Sequence, residues 1–290
     1  MPVTQIRGVN INYQVIGEAG PWIMLTTGGR RGHEELVSLA RKLAAHGHRV
    51  VLHDRRNTGA SEVLIEGDAG EEVMWTDDMH ELMQKLGALP AFFGGTSSGA
   101  RTSILFALRY PQAVRGLLLM RVTGGPFAAA RLPENYYNQF IRIAQQGGMA
   151  AICATEQWKE RIAANPRNGD YLRQLPVEKF LAVLTKWRDV FVAGVHLPVM
   201  GVTEAELASL EVPTIVIPGN DNTHSSASGL TAHRLIPGAQ LHQLPITDQD
   251  VALIPFTEWA PYEDEITGAF TRFIAQVRPG ESARPAAMAG

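Results

Sequence analysis

Residues 91–100 read Ala-Phe-Phe-Gly-Gly-Thr-Ser-Ser-Gly-Ala, and this is the most informative stretch of the chain. Its first four residues form a short apolar run, which is typical of a buried strand, and residues 98–110 have helical spacing. Between them lies the pattern Gly-x-Ser-x-Gly, centred on Ser97. A serine at a sharp strand-to-helix turn needs small residues two positions away on either side, because the tight backbone leaves no room for side chains. The stretch therefore predicts a strand, a turn and a helix that together expose Ser97.

Strand and helix patterns alternate on both sides of this unit. The predicted strands are residues 22–26, 49–53, 114–120, 213–218 and 240–244, and the predicted helices are 33–45, 71–86, 98–110 and 258–277. Residues 4–16 alternate apolar and polar side chains, which predicts an antiparallel edge hairpin. Such alternation is typical of an α/β fold, with a mostly parallel central sheet covered by helices on both faces.

The region from 126 to 210 has a different character, since it shows helical spacing without a convincing strand. We interpret 126–210 as a helical cap, or lid, inserted into a core domain formed by 1–125 and 211–278. A second helical layer is the alternative interpretation. Residues 279–290 are rich in Ala, Pro and Gly, so a disordered tail is expected there.

Composition excludes several classes of protein. The 290 residues carry a formal charge of -3, and no run of Lys or Arg argues for nucleic acid or an anionic membrane as a partner. The single cysteine, Cys153, excludes an intrachain disulfide and a zinc site built from several cysteines. Polar residues interrupt the first 25 positions, and no apolar stretch approaches the roughly 20 residues that span a bilayer. We expect a soluble protein of the cytoplasm.

Two further motifs extend the pattern around Ser97, and with them the chain resembles the α/β-hydrolase family along nearly its whole length. Residues 27–30, Thr-Gly-Gly-Arg, are similar to the His-Gly-Gly-Pro loop of the family, with Thr27 and Arg30 in place of His and Pro. Residues 54–61 are similar to the Asp-x-Arg-Gly-x-Gly-x-Ser turn of the family. The resemblance implies that Ser97 is the nucleophile and that the backbone amides of Gly29 and Ser98 form the oxyanion hole.

The family places a catalytic acid in the loop after the strand at 213–218. Here that loop reads Gly-Asn-Asp-Asn-Thr-His over residues 219–224, and the usual acid position is Asn222. Asp221 lies one residue earlier and is the natural candidate, because no carboxylate directly follows the strand at 114–120, the alternative position. A turn-forming role for Asp221 is the other interpretation.

The general base is harder to assign. The family carries its histidine after the last strand, but none of the nine histidines of this chain lies beyond His242. His224 is the preferred candidate, because its loop lies at the edge of the sheet where ligands bind in such folds. His33, just beyond the oxyanion loop, and His242, inside a strand, are the other candidates.

Asp248 and Asp250 occupy the loop where the family keeps its base. Neighbouring, buried carboxylates can act as a general base near neutral pH, so this loop is a second candidate for proton transfer. The same carboxylates with His224 offer oxygen and nitrogen atoms to a divalent metal. No recognised ligand spacing supports that site, so neither a metal nor another cofactor is expected.

Candidate substrate-binding residues come from the loops near Ser97 and from the aromatic cap. They are Arg30, His33, Tyr137, Trp158, Trp187, Asp248 and Asp250. An inward-pointing arginine would recognise a carboxylate, and cap aromatics would hold an apolar body. The expected substrate is a small, partly apolar ester, lactone or C–C ring-cleavage product.

Three functions remain open at this point. The first is a serine hydrolase that acts on a small-molecule substrate. The sequence leaves open whether such an enzyme is a monomer or a homodimer. The second keeps the fold but uses the Asp248 and Asp250 loop as a lyase, decarboxylase or isomerase. The third is a ligand-binding or sensor protein, because a missing base would leave a lidded pocket that binds without turnover.

Overall fold

A computed structural model describes residues 2–67 and 69–277 of the chain. Within this part, eight strands form one sheet in the order β1-β2-β4-β3-β5-β6-β7-β8. β1 and β2, and β2 and β4, pair antiparallel, whereas the remaining neighbours pair in parallel. The strands are β1 Val3–Ile6, β2 Val9–Ile16, β3 Trp22–Thr26, β4 Arg49–His53, β5 Ala91–Thr96, β6 Val114–Met120, β7 Thr214–Ile217 and β8 Gln240–Leu241. The predicted α/β fold with a mostly parallel sheet is thereby confirmed.

Helices connect the parallel strands and continue beyond the sheet. They are α1 Val37–Ala45, α2 Glu71–Lys85, α3 Ser98–Arg109, α4 Gly125–Pro133, α5 Gln139–Ala154, α6 Glu156–Ala164, α7 Pro166–Gln174, α8 Val177–Ala193, α9 Glu204–Ala208, α10 Ser226–Leu235 and α11 Glu263–Gln276. No helix among the described residues is both long and apolar enough to cross a membrane.

Two apolar clusters cover the two faces of the sheet. One joins the strands to α2, α3 and α10 through residues such as Met79, Ile104 and Ala232. The other joins the strands to α1 and α11 through residues such as Leu39 and Phe270. A parallel sheet buried on both faces favours strands that are largely apolar, and β5 and β6 are apolar except at Thr96 and Arg115.

The helices from α4 to α9 lie between β6 and β7 in the chain. Those from α4 to α8 build a third apolar cluster, in which Trp158, Phe180 and Trp187 pack with residues of the loop after β4, including Ile65. This helical segment, 125–208, occupies the region predicted as a cap. The division into two domains stays a prediction, and the predicted disordered tail at 279–290 lies outside the described residues.

Boundaries differ from the predictions where the chain is irregular. The helix predicted at 33–45 begins with a 3-10 turn, His33–Leu36, and the one predicted at 258–277 is preceded by the 3-10 turn Phe256–Tyr262. The last strand is short because it lies at the edge of the sheet, and Pro245, which follows it closely, has no N–H to donate.

Candidate active site

Ser97 lies between β5 and α3 with φ 57° and ψ -121°, a conformation that non-glycine residues rarely adopt. The flanking glycines explain how this turn fits the sheet. A Cβ atom on Gly95 or on Gly99 would lie 2.0 Å from the carbonyl oxygen of Thr26 in β3. The Gly-x-Ser-x-Gly spacing therefore allows β3 to approach the turn closely on both sides of Ser97.

His224 contacts this serine directly. Its Nε2 atom lies 2.7 Å from Ser97 Oγ, and its Nδ1 atom lies 3.0 Å from Asp221 Oδ1. The carboxylate can only accept, so Nδ1 carries a proton and Nε2 is free to accept the proton of the serine hydroxyl. All three side chains are buried. His224 and Asp221 come from one loop, between β7 and α10.

A compact turn allows residues three positions apart to meet in this way. Asp221 Oδ1 accepts hydrogen bonds from the backbone N–H of Thr223 at 2.9 Å and of His224 at 2.8 Å. Aspartate side chains commonly bond the backbone two residues further on, and this bond closes the turn. The turn-forming role and contact with the imidazole are therefore compatible in Asp221.

Arg121 is a residue of the site that the sequence did not single out. It follows β6 with φ 50°, and its Nη2 donates to Asp221 Oδ2 at 2.7 Å and to the carbonyl of Ile254. The N–H of Ile254 donates to the same Oδ2 at 3.0 Å. Arg121 and the loop after β8 thus hold Asp221 in place, although that loop supplies no histidine.

These contacts shift the pKa values of the pair. Burial alone would raise the pKa of Asp221, but hydrogen bonds from His224 and Ile254 and the charge of Arg121 hold it well below its usual range. Burial is the main cause that lowers the pKa of His224, and Arg121, whose Nη2 lies 3.3 Å from Nδ1, lowers it further against the pull of Asp221. The imidazole is therefore neutral near pH 7, as a general base requires.

The loop predicted to hold an oxyanion approaches the serine closely. A Cβ atom on Gly28 would lie 3.0 Å from Ser97 Cβ and 3.7 Å from its Oγ. Ser98 is the first residue of α3, so its N–H has no acceptor within the helix. Ser98 Oγ donates to the carbonyl oxygen of Gly29 at 2.9 Å, which joins the two residues whose amides the resemblance assigned to the oxyanion hole.

Arg55 reinforces this junction from the loop after β4. Its Nη2 donates to the carbonyl of Gly29 at 2.7 Å and its Nη1 donates to Ser98 Oγ at 3.0 Å. The side chain is buried and stacks on Trp75, with 4.3 Å from the guanidinium carbon to the ring centroid. The family-like motif at 54–61 therefore has a positional role, which its resemblance alone did not explain.

Two cavities lie between this edge of the sheet and the helical segment. The larger one, the reaction cavity, has a volume of about 650 Å³ and is lined by Ser97 and His224, together with Gly29 and Arg30. The smaller one has a volume of about 20 Å³, and its lining residues are Arg30, Asn57, Ile65, Glu71, Tyr136, Tyr137, Phe140, Trp158, Arg161, Leu184 and Trp187. The structure thus brings four of the predicted substrate-binding residues together around the smaller cavity.

The other two histidine candidates lie elsewhere. His33 Nδ1 lies 2.8 Å from Asp54 Oδ1, whereas His242 Nε2 lies 3.2 Å from Glu265 at the end of the sheet. Burial alone would lower the pKa of His33, but the hydrogen bond to Asp54 raises it overall. Neither histidine lines a described cavity, so the structure does not bring them to the serine.

The acidic loop is also separate from the site. Asp248 accepts hydrogen bonds from the N–H and hydroxyl of Ser226, and Asp250 accepts one from the amide of Asn222 at 2.9 Å. Both aspartates are exposed, and neither lines a described cavity. The structure therefore does not support substrate contact or proton transfer by this loop, because exposure removes the burial that would make either carboxylate basic.

One cluster within the described residues has the side chains of a metal site. The ligand atoms of His33, Glu34 and Asp54 all lie within 4.8 Å of one another. Asp54, however, already accepts hydrogen bonds from His33, from the side chain of Asn12 and from the N–H of Ala60. These bonds explain its burial as part of the turn after β4.

Comparisons with known proteins agree with this architecture. The chain is 33% identical over 150 residues to the uncharacterised hydrolase YraK of Bacillus subtilis, covering 48% of this chain but only 55% of that protein. It is 24% identical over 255 residues to the mouse sn-1-specific diacylglycerol lipase ABHD11, covering 83% of this chain and 79% of that protein.

Solved structures show the same fold at low sequence identity. The enol-lactonase of Burkholderia xenovorans superposes with a TM-score of 0.64 and 20% identity, covering 95% of this chain and all of that one. The meta-cleavage product hydrolase of Pseudomonas fluorescens gives a TM-score of 0.64 and 19% identity, covering 96% of this chain and 98% of that one. A profile of the alpha/beta hydrolase fold matches residues 21–214. This chain therefore belongs to the alpha/beta hydrolase fold family.

Proposed function

We propose that the protein is a serine hydrolase for a small, partly apolar carbonyl substrate. The observation that carries the proposal is the contact of 2.7 Å between Ser97 Oγ and His224 Nε2, with Asp221 behind the imidazole. A serine hydroxyl is a weak nucleophile until a base takes its proton, and a carboxylate holds that base in the required tautomer. The arrangement supplies both groups.

The first half of the reaction forms an acyl-enzyme. Ser97 Oγ attacks the carbonyl carbon while its proton passes to His224 Nε2, and the carbonyl oxygen becomes an oxyanion held by the amides of Gly29 and Ser98. When the tetrahedral intermediate collapses, the bond to the leaving group breaks, and that group takes the proton from His224. Asp221 stabilises the imidazolium that exists between these two transfers.

The second half releases the acid. Water gives a proton to His224 Nε2 and attacks the acyl carbon, and the intermediate expels Ser97 Oγ, which recovers the proton. The reaction cavity of about 650 Å³ admits both water and a small substrate. Enzymes of this fold include an enol-lactonase and a meta-cleavage product hydrolase, so lactones and C–C cleavage products stand beside esters as proposed substrates.

The two rival functions have less support. Chemistry by the Asp248 and Asp250 loop would require those carboxylates near Ser97, but they are exposed and bond neighbouring loop residues instead. A binding protein without turnover was suggested by the missing histidine after the last strand. His224, which comes from a different loop, lies 2.7 Å from Ser97 Oγ, and this contact favours turnover over that alternative.

Hydrolysis of short-chain p-nitrophenyl esters tests the proposal. We expect turnover by the wild type and a loss of about a hundredfold to ten-thousandfold in kcat for His224→Ala, the usual contribution of a general base. His242→Ala is the matched control, since this histidine bonds Glu265 away from the serine, and it should retain activity. Full activity in a folded His224→Ala variant would overturn the proposal.

A further inference from the structure

The smaller cavity is surrounded by hydrogen-bond donors that have no acceptor, and we refer to it as the donor pocket. Its unpaired buried atoms are Asn57 Nδ2, Trp158 Nε1, Arg161 Nε and Trp187 Nε1. No oxygen atom of its lining side chains is buried and unpaired within the described part of the chain. Buried polar groups in folded proteins are almost always paired, so four unpaired donors at one cavity indicate a missing acceptor.

Rotation of the side chains does not remove these donors. Asn57 Oδ1 accepts a hydrogen bond from the N–H of Leu64 at 2.8 Å, which fixes the amide orientation and leaves its NH₂ end without an acceptor. An indole N–H and a guanidinium N–H cannot act as acceptors in any orientation. The missing partner must therefore be a group that accepts hydrogen bonds.

The positive charge of Arg161 also favours an acceptor in the donor pocket, and in particular an anion. Arg30 pairs with Glu71, but Arg161 forms no ion pair with any described residue and stacks instead on Trp158, 4.4 Å from the ring centroid. Burial, with repulsion from Arg30, lowers the pKa of Arg161 to about 10 against the opposing charges of Glu71 and Glu160, which leaves the guanidinium charged at neutral pH. A buried charge without a direct ion pair is unfavourable, and an anion in contact with the guanidinium would compensate it.

The donor pocket adjoins the reaction cavity. Arg30, Tyr136 and Arg161 line both spaces, which places the two within reach of one elongated molecule. The volume of about 20 Å³ is small, so it limits the occupant to a terminal group and excludes a ring. The body of such a molecule would lie in the reaction cavity with its end in the donor pocket.

We infer that the substrate carries a carboxylate, remote from the carbonyl that Ser97 attacks, and that the donor pocket binds this carboxylate through Arg161, Asn57 and the indoles of Trp158 and Trp187. Both oxygens of a carboxylate accept hydrogen bonds, and its negative charge would pair with the guanidinium of Arg161. The inference rests on the proposed serine hydrolase and adds a substrate class to it. Ordered water is the competing occupant.

Binding is tested first without turnover, in the full-length Ser97→Ala variant labelled with ¹⁵N at the indoles. The probes are monomethyl glutarate, which has an ester and a carboxylate, and neutral dimethyl glutarate. We expect the monomethyl ester to shift the indole N–H signals of Trp158 and Trp187, assigned with Trp→Phe variants, while Trp22, at the start of β3, stays constant. Equal shifts with the neutral diester, or none with either, would overturn the inference and indicate water alone.

Kinetics test the same contact in the active protein. The p-nitrophenyl ester of glutaric acid should exceed its methyl-capped analogue in kcat/KM, mainly through KM. Arg161→Gln should reduce that preference about ten- to a hundredfold, the size expected for a charge-assisted hydrogen bond. Arg167→Gln is the matched control, because this nearby arginine is largely exposed. Trp158→Phe and Trp187→Phe give a second measurement should Arg161→Gln fail to fold.

These experiments distinguish a failure of the carboxylate pocket from a failure of the proposed serine hydrolase. Turnover of both esters without a preference for the acid contradicts the carboxylate pocket and leaves the serine hydrolase intact. Indole shifts with the acid but no turnover of either ester support the pocket and contradict the hydrolase.

Discussion

Asp221→Asn is the most informative single substitution, because it keeps the shape of a buried side chain while it removes the negative charge and one of the two acceptor oxygens. In the wild type, Oδ1 accepts from the N–H groups of Thr223 and His224, and Oδ2 accepts from the N–H of Ile254 and from Arg121. The imidazole Nδ1 lies within 3.1 Å of both oxygens. An amide has one oxygen and one NH₂ group, so it can accept hydrogen bonds from the donors at only one of these two positions.

The magnitude follows from counting donors. In either orientation the NH₂ group of the substituted side chain would face two donors that have lost their acceptor. Each buried unsatisfied group costs about 1–3 kcal/mol, so we expect a loss of about 2–6 kcal/mol in the free energy of unfolding. The total for a folded domain is only about 5–15 kcal/mol, so the effect is large. The amide also fails to hold the imidazole tautomer, for which a loss of about 10⁴ in kcat is expected.

Urea unfolding and ester turnover measure the two effects separately. Asp248→Asn is the matched control, since this exposed aspartate bonds Ser226 at the surface, and both quantities should stay within error of the wild type. Near-wild-type stability together with near-wild-type kcat in Asp221→Asn would refute the account of Asp221 as the buried acceptor behind His224.

Three other predictions concern the same site. First, kcat/KM should rise with pH with a midpoint below about 6.5, because burial and Arg121 lower the pKa of His224, and Arg121→Gln should move the midpoint upward; a wild-type midpoint above about 7 contradicts this. Second, Asp221 has a pKa below its unfolded value of about 3.9, so its contribution to the free energy of unfolding is present above about pH 4 and is lost as the pH falls further. Unfolding measured across acid pH should show this loss of stability in the wild type and a smaller loss in Asp221→Asn. Third, Gly99→Ala places a Cβ 2.0 Å from the carbonyl oxygen of Thr26, so the turn must shift. We expect the free energy of unfolding to fall by about 1–3 kcal/mol and turnover to be lost. An active variant of normal thermal stability would be inconsistent with this close approach.

The fold was predictable because its signals are local. The apolar run of β5, the two glycines around Ser97 and the helical spacing of α3 are encoded within about twenty consecutive residues. Helical spacing also located the segment between β6 and β7. Hydrophobic periodicity therefore sufficed for the α/β fold, and the family match over 21–214 confirms it.

The contacts of the candidate site depend on proximity between distant residues, which local patterns do not encode. Arg121 lies 100 positions before Asp221, and only the pairing of β6 with β7 brings them together. The unpaired donors of Asn57 and Arg161 likewise become visible only when the helical segment lies against the sheet. His224 was preferred from its loop, and its distance to Ser97 supports that choice, but its role as base stays a prediction.

Covalent labelling with a fluorophosphonate shows whether His224 activates Ser97. Mass spectrometry of the digested protein should locate one adduct on Ser97 in the wild type and in His242→Ala. The adduct should be absent from Ser97→Ala and strongly reduced in His224→Ala, because the hydroxyl then lacks a base. A wild-type protein that stays unlabelled, or one labelled on Ser97 equally well without His224, would contradict the account.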